Sequence, residues 1–281
     1  MNARFVIMFK PFAWKEPTME TTKQMTIPLS AVRTVDNGTF SSVQPRTAVD
    51  LEIIVPAYNE AERISSTLLE TAEYLESQPW SSRVVVVDNG SSDDTGSVVR
   101  RFSAARSGNV PIVVIGCGRP GKGAAVRRGI LSGTSTFTGF FDADMATPVE
   151  TLSIAMGHLK QGAAAVIASR HCPGSTFVRH QPLGRRLGGM AFRALTRSMV
   201  REIHDTQCGF KFFDRSAINL ALVQCRTTGF AFDVELLHRM QSEGGQIVEV
   251  PVAWTDSPSS TFRPLRDGAA SFGAVFQMYK G

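Results

Sequence analysis

The chain has little sulfur chemistry to offer. Its four cysteines, Cys117, Cys172, Cys208 and Cys225, lie far apart and form no C-x-x-C pair, so neither a zinc site nor a disulfide framework is expected and a reducing cytosol fits best. Long apolar runs are lacking too. The longest near the start, Phe5 to Phe9, is too short for a secretory core, and no small-residue cleavage site follows it. No segment supplies the roughly twenty uninterrupted apolar residues of a membrane-spanning helix, so a soluble or peripherally attached protein is expected. The absence of G-x-x-x-x-G-K-[ST] excludes a P-loop, and the absence of G-x-G-x-x-G after the first strand argues against a Rossmann dehydrogenase. Zinc-finger and homeodomain spacings are missing and aromatic residues are not interleaved with basic ones, so no nucleic-acid partner is expected. His204 and His238 have no matching ligand set and are expected to play surface roles.

What is present suffices for one substantial core: 281 residues, 43% of them hydrophobic and 20% charged. The formal charge of +5 suits an anionic partner, but phosphorylated substrates, acidic lipids and nucleic acids share that property. Residues 1–48 mix Pro, Thr, Ser and scattered charges without periodicity, which reads as a disordered leader or an over-extended gene start. From Leu51 onward, short β-branched runs alternate with amphipathic segments of helical length, the pattern of βαβ units and a single mostly parallel sheet with flanking helices. Strands are expected at Leu51 to Val55, Arg83 to Asp88, Pro111 to Ile115, Phe137 to Asp142 and Ala164 to Ser169. Helices are expected at Ala61 to Leu75, Thr95 to Phe102, Gly123 to Leu131 and Pro148 to Leu159. In an open α/β sheet, ligands bind outside the carboxyl ends of the strands, and the polar turns collect there.

Those turns hold the candidate chemistry. Pro56-Ala57-Tyr58-Asn59-Glu60 follows the first strand, and Asp88-Asn89-Gly90-Ser91-Ser92-Asp93-Asp94-Thr95 ends the second. Tyr58 offers a flat contact for a base, while Glu60, Asp88 and Asn89 offer directed hydrogen bonds; Asp93, Asp94 and Thr95 are expected to cap the next helix. Gly121-Lys122-Gly123 opens a helix and can turn N–H groups and one cation toward a phosphate. The sharpest feature is Phe140-Phe141-Asp142-Ala143-Asp144, an apolar strand ending in two carboxylates. Their side chains share a face only if the strand ends near Asp142. One or two carboxylates plus substrate phosphates are a common way to hold Mg²⁺ or Mn²⁺. Thr147, followed by Pro148, is expected to cap the next helix, which leaves the aspartates without a structural task.

Arginines follow the fifth strand: Arg170, Arg179, Arg185, Arg186, Arg193, Arg197 and Arg201. Over Arg186 to Val200, Leu187, Ala191, Leu195 and Met199 recur every fourth residue, with Met190 and Ala194 alongside. That basic amphipathic helix serves equally as a membrane-interface element or as a surface helix packed on the core. Asp233 and Glu235, in Phe230-Ala231-Phe232-Asp233-Val234-Glu235, read as helix-start carboxylates.

Taken in order, V-P-A-Y-N-E at Val55 to Glu60, V-D-N-G-S-S-D-D-T at Val87 to Thr95, G-K-G at Gly121 to Gly123 and D-A-D at Asp142 to Asp144 resemble a family 2 glycosyltransferase with the GT-A fold. The later D-T-Q-C-G-F-K, A-F-D-V-E-L-L and V-P-V-A-W-T are similar to the dolichyl-phosphate β-glucosyltransferase and polyprenyl-phosphate hexosyltransferase branch. The resemblance spans about Leu51 to Pro264. It implies one catalytic domain over 49–281, with a nucleotide-sugar half at 49–145 and an acceptor half at 146–281. It further implies that Pro56, Ala57, Tyr58, Glu60, Asp88, Asn89 and Lys122 hold the nucleotide. Asp142 and Asp144 hold Mg²⁺ or Mn²⁺ with the diphosphate, and Arg170 and Arg185 receive the acceptor phosphate. Asp205, Gln207 and Cys208 line the sugar side, with Gln207 and Arg263 contributing to the acceptor site. Arg263 takes over an anionic contact, because Thr261 replaces a lysine common in relatives. Ala146 stands where mannosyl-phosphate relatives carry a glutamine metal ligand, which points to a UDP-sugar, UDP-glucose first. Asn89 stands where many relatives carry aspartate; its amide still accepts from the uracil N3–H. The partners so implied are a UDP-sugar, a polyprenyl phosphate, the cytoplasmic face of a membrane and a flippase-type membrane protein. A soluble phosphorylated or glycan acceptor, or a non-catalytic nucleotide-sugar binding module, is the alternative.

Overall fold

The computed structural model describes residues 49–177, 183–255 and 264–280; the leader expected over 1–48 lies outside them. The strands are β1 (Leu51–Ala57), β2 (Ser82–Asp88), β3 (Ile112–Gly116), β4 (Phe137–Phe141), β5 (Ala165–Ser169), β6 (Thr176–Phe177), β7 (Phe210–Asp214), β8 (Ile247–Pro251) and β9 (Ala253–Trp254). The helices are α1 (Ile64–Glu76), α2 (Thr95–Ala105), α3 (Lys122–Leu131), α4 (Thr151–Lys160), α5 (Leu183–Thr196), α6 (Arg215–Gln224), α7 (Phe232–Ser242) and α8 (Pro264–Lys280). Seven strands form one sheet in the order β3-β2-β1-β4-β7-β5-β8, while β6 and β9 form a short parallel pair of their own.

The hydrophobic pattern builds this sheet as a two-faced layer. Along β1, Leu51, Ile53 and Val55 face the side covered by α1, α2 and α4, whereas Ile54 faces α3, α6 and α7. That alternation is the period-two geometry of a strand. Covering both faces is what parallel strands need, and the core residues of β1 and of Phe140, Phe212 and Phe213 are wholly buried.

The five expected strands are present to within two residues at each end. β7 was not expected. It runs antiparallel between β4 and β5, with Phe141 opposite Phe210 and Ile167 opposite Lys211. The reversal places the start of β7, and so the Asp205–Gly209 segment before it, at the edge where β1, β2 and β4 end.

Three local expectations are corrected. α4 begins at Thr151, not Pro148, and Thr147 does not cap it: its hydroxyl sits 3.7 Å from Cys208 Sγ, and residues 148–150 form a turn in which Thr151 N donates to the Pro148 carbonyl at 3.1 Å. Asp94 occupies the N-cap of α2 without a capping side-chain bond, and it is Asp93 that satisfies the first N–H of the helix, accepting from Thr95 N at 3.0 Å, while Asp93 and Thr95 also brace a neighbouring loop. In α5, Phe192 and the following Met199 pack on Val234, Leu237 and Val275, while Met190, Ala191 and Ala194 face outward. Of the stripe the four-residue recurrence marks, Leu195 and Met199 do pack inward, while before them Phe192 rather than Ala191 takes the inner face.

Candidate active site

β4 stops at Phe141, which is the condition for the two carboxylates to meet on one face. The chain then turns: Met145 N donates to the Asp142 carbonyl at 3.3 Å, and Met145 adopts φ +50°, a left-handed conformation that costs a side-chain-bearing residue about 1–2 kcal/mol. The turn is tied down from outside. Thr67, in the second turn of α1, donates its hydroxyl to the Ala143 carbonyl at 2.6 Å, and Asp144 Oδ1 accepts from Ala146 N at 3.2 Å. On the other side, Asp142 N donates to the Gly209 carbonyl at 2.9 Å. The Asp142 carboxylate lies so close over Gly209 that any Cβ there would collide with it.

Two cations face the pair. Lys122, the first residue of α3, places Nζ 2.6 Å from Asp142 Oδ1. Burial alone would lower its pKa, but Asp142, then Asp233 and Asp144, hold it well above the ordinary lysine range. Asp142 and Asp144 likewise act on Arg63, which forks onto Glu60. Even so, burial and the adjacent Asp142 raise the pKa of Asp144: the charge of Asp144 is incompletely offset. Among the described residues no group of three His, Cys, Asp or Glu gathers anywhere. A divalent cation here would therefore draw its remaining ligands from diphosphate oxygens and water, which suits Mg²⁺ or Mn²⁺. The residues fit such an ion.

The first two βα turns form one braced unit. Asn59, at φ +56°, accepts from Ser92 N at 2.8 Å, and its own N–H donates to Ser91 Oγ. Glu60 N donates to Thr95 Oγ1 at 2.8 Å and Ala61 N to Asp93 Oδ2 at 3.1 Å. Within this frame Pro56 is half-buried, Ala57 is buried and Tyr58 stands out at 49% exposure. Glu60 is buried against Arg63. Asp88 Oδ1 accepts from Ser91 N at 3.0 Å. Asn89 clamps the loop after β3: its Nδ2 donates to the Arg119 carbonyl at 2.8 Å, and its Oδ1 accepts from Gly121 N at 2.7 Å, which leaves one oxygen lone pair for a ligand. Gly121 has φ +115° and lies against the Thr228 carbonyl, where a side chain would not fit.

At the far side of the edge, Arg170 and Asp205 form a buried bidentate pair, with Nε to Oδ2 at 2.6 Å and Nη2 to Oδ1 at 2.9 Å. Burial opposes both charges, yet the pairing prevails: Asp205 is held below the ordinary carboxylate range and Arg170 above the ordinary arginine range, with Asp142 adding to the latter. Trp254 lies under the guanidinium, 5.3 Å from ring centre to Cζ. Asp205 spends its lone pairs on Arg170 and on Gln207 N, and its own N–H goes to Glu249. Both Asp205 and Cys208 are wholly buried, and burial pushes the Cys208 thiol up to about 11; of this segment Gln207 and Gly209 are partly exposed. Arg185 falls in α5 with its side chain outside the described residues, and Arg263 and Thr261 also lie outside them.

Asp233 and Glu235 do stand in the first turn of α7, as expected of helix-start carboxylates, but they also serve as internal ties. Asp233 Oδ1 is 3.0 Å from Nζ of Lys211, a lysine buried in mid-strand that also donates to the Cys208 carbonyl. Glu235 accepts from the N–H groups of Arg226 and Thr227 and from Arg239. Thr67, Asn59 and Lys211 were not singled out individually by sequence; their partners are remote along the chain, so only a lysine inside an apolar strand hinted at any of them. His204, 2.6 Å from Glu249, is exposed as expected, while His238 is partly buried, with Nδ1 2.8 Å from the Met199 carbonyl.

The family model for Glycosyl transferase family 2 matches residues 52–220. The dolichyl-phosphate beta-glucosyltransferase of Drosophila melanogaster is 32% identical over 244 residues, covering 83% of this chain and 75% of that protein. Among solved structures, glucosyl-3-phosphoglycerate synthase from Mycobacterium tuberculosis with phosphoglyceric acid has a TM-score of 0.62 at 17% identity, over 82% of this chain and 79% of that one. The same enzyme with Mn²⁺, uridine-diphosphate and glucosyl-3-phosphoglycerate gives 0.57 at 19% identity, over 81% and 77%. At such identity the likeness is one of fold, and it carries the seven-stranded sheet into the GT-A class. The sequence match and the ordered motifs at the sheet edge together place this chain in glycosyltransferase family 2, as a glycosyltransferase of GT-A fold.

Proposed function

We propose that the chain transfers a hexose, glucose first, from a UDP-sugar to the phosphate of a polyprenyl or dolichyl lipid, with inversion at the anomeric carbon. The observation that carries this reading is the convergence, at one sheet edge, of the D-A-D carboxylates with Lys122 and of the Asp205-fixed Arg170, close enough to Asp142 to feel its charge. In this reading residues 49–145 serve the nucleotide sugar and 146–281 the acceptor. The Drosophila relative is named for a dolichyl-phosphate acceptor, and the fold neighbour was crystallised with UDP and Mn²⁺.

The reaction is a single displacement. An oxygen of the lipid phosphate forms a bond to the anomeric carbon as the bond from that carbon to the UDP oxygen breaks, and the electron pair leaves on the diphosphate. A phosphate monoester with a second pKa near ~6 is already largely dianionic at neutral pH, so no strong general base is needed. Asp142 and Asp144 would hold Mg²⁺ or Mn²⁺, which when bound offsets charge on the departing diphosphate. Lys122 adds a fixed cation on the same side. Arg170 orients the acceptor phosphate: Asp205 uses one edge of its guanidinium and leaves the remaining N–H donors for a ligand.

No helix among the described residues is long and apolar enough to cross a membrane. Contact with the cytoplasmic face of a membrane would use the outward side of the α5/α8 pair, where Met190, Phe276 and Tyr279 are 50%, 56% and 47% exposed and Arg197 and Arg201 are exposed nearby in the chain. A flippase-type protein would then take the lipid-linked sugar onward.

The test is product formation with Mg²⁺ or Mn²⁺, a panel of labelled UDP- and GDP-sugars, and polyprenyl phosphate present or absent, separating lipid-soluble from water-soluble label. Lipid-soluble label from UDP-glucose that requires polyprenyl phosphate is the expected result. Metal-dependent label confined to water, on a small phosphorylated acceptor, would overturn the choice of acceptor, and label from GDP-sugars alone would overturn the donor.

A further inference from the structure

On the α3, α6 and α7 side of the molecule lies a cavity of about 750 Å³. Four arginines line it, Arg119 from the loop after β3, Arg127 from α3, and Arg226 and Arg239 from the α6–α7 connection and α7, together with the last residues of α6. No residue proposed above to hold nucleotide, metal or acceptor is among them.

Two of the four are fixed by their neighbours. Arg127 donates to the Cys225 carbonyl at 2.8 Å and the Val223 carbonyl at 3.2 Å, groups left without helical partners at the end of α6. Arg239 forks onto Glu235 at 3.1 and 2.9 Å and donates to Gln224 Oε1 at 3.1 Å. Arg119 and Arg226 are exposed at the cavity. Glu235 is the acidic group bonded to this cluster among the described residues, and it is already engaged by Arg239 and by the N–H groups of Arg226 and Thr227. Four like charges around one concavity repel one another, and an anion that bridges them removes that cost. Guanidinium forks match phosphate oxygens best, and the volume falls within the range of about 300–1,000 Å³ typical of small-ligand sites.

We propose that this cavity is a second anion site that takes a phosphate or diphosphate group. It shares a loop with the nucleotide side: Arg119 offers its carbonyl to Asn89, and Gly121 its N–H. A shift in nucleotide affinity on filling the cavity follows if Asn89 holds the nucleoside, so that consequence rests on the proposed donor reading, whereas the binding itself does not.

Inorganic pyrophosphate, titrated calorimetrically into the full chain in metal-free buffer, is the first probe. The comparison is between wild type, the Arg119→Ala/Arg226→Ala double variant and Lys122→Ala, which removes the diphosphate contact proposed for the donor side, with melting curves to confirm folding. The expected result is a pyrophosphate-binding step that is weakened tenfold or more in the double variant and persists in Lys122→Ala. Absence of binding to wild type, or equal affinity in the double variant, overturns the site. A second arm sediments the protein with phosphatidylcholine vesicles containing or lacking phosphatidic acid. Capture that needs phosphatidic acid and is lost in the double variant assigns the site to lipid-borne phosphate, whereas pyrophosphate binding without such capture assigns it to a soluble ligand. Failure of UDP to bind any of these proteins would remove the donor reading and leave the anion site standing.

Discussion

Lys122 Nζ rests 2.6 Å from Asp142 Oδ1, so the first residue of α3 and the first carboxylate after β4 neutralise one another in part. Asp144, two residues on, has the Ala146 N–H and, at longer range, Arg63 and Lys122 to offset it; burial and the neighbouring Asp142 outweigh them, and its pKa is raised. The chain therefore keeps one satisfied and one unsatisfied carboxylate side by side, which is the arrangement a divalent cation would complete.

Asp144→Asn should separate activity from stability. Loss of the second metal-binding carboxylate is expected to lower sugar transfer by about 10²-fold or more, the scale of removing one electrostatic stabiliser. A carboxyl whose pKa is higher folded than unfolded weakens the fold once pH exceeds its unfolded value. The variant should therefore melt at the same temperature or a few degrees higher at neutral pH. Transfer rates and melting curves measured together decide it, and undiminished turnover would sink the metal assignment.

Gly209→Ala tests the same turn from beneath. A Cβ at 209 meets the Asp142 carboxylate, which must swing away from Lys122. The variant should fold, since Gly209 lies just before β7 in the loop, but its kcat/KM should fall by about tenfold or more, as expected of a misplaced charged group. Wild-type kinetics in a folded variant would show that the position of Asp142 is unimportant.

The Arg170–Asp205 pair predicts an acid response. Asp205 is held low mainly because Arg170 outweighs the cost of burial. A carboxyl lowered in this way contributes its full stability above its unfolded value, about 3.9, and loses it as pH falls through the lower folded value. Asp205→Asn should cost about 3–5 kcal/mol at neutral pH, because it strands a buried guanidinium. It should also lose less further stability than wild type as pH drops below about 4. Urea unfolding across that pH range gives both quantities, and parallel curves would exclude Asp205 as the titrating group.

Glu52 sits at the opposite edge of the sheet from the site. It is wholly buried and paired with Arg83 and with Arg215 at 2.6 Å, and Ser135 donates to it at 3.0 Å. Glu52→Gln should destabilise the fold by about 3–5 kcal/mol while leaving kcat and KM of the folded fraction unchanged at low temperature. A KM shift without destabilisation would contradict a purely structural role.

Periodicity made the parallel half of the fold legible. Valines and isoleucines in β1, β2 and β5 mark buried strands and those of β3 a half-exposed edge strand, and the amphipathic spacing of Ile64, Leu68, Ala72 and Leu75 marks α1. The antiparallel β7 escaped because Lys211 interrupts its apolar run, and a lysine reads as surface until Asp233 is known to lie beside it. The expected nucleotide and metal residues were legible as turns after strands. Asn59, Thr67 and Met145, which shape those turns, were not, because a positive φ or a hydroxyl bonded to a carbonyl far along the chain leaves no periodic trace. The inner face of α5 was placed only in part, with Leu195 and Met199 inward but Phe192 missed, because four-residue recurrence does not say which neighbouring apolar residue meets the core.

The reversed strand has one more consequence. Because β7 is hydrogen-bonded to β4 on one side and β5 on the other, the segments before and after the D-A-D turn hang on a single continuous sheet. Enzymes that close two lobes over their substrates expel water by rigid-body motion; here, a motion of that kind between these two segments would have to break the ladder of β7 with β4 or β5.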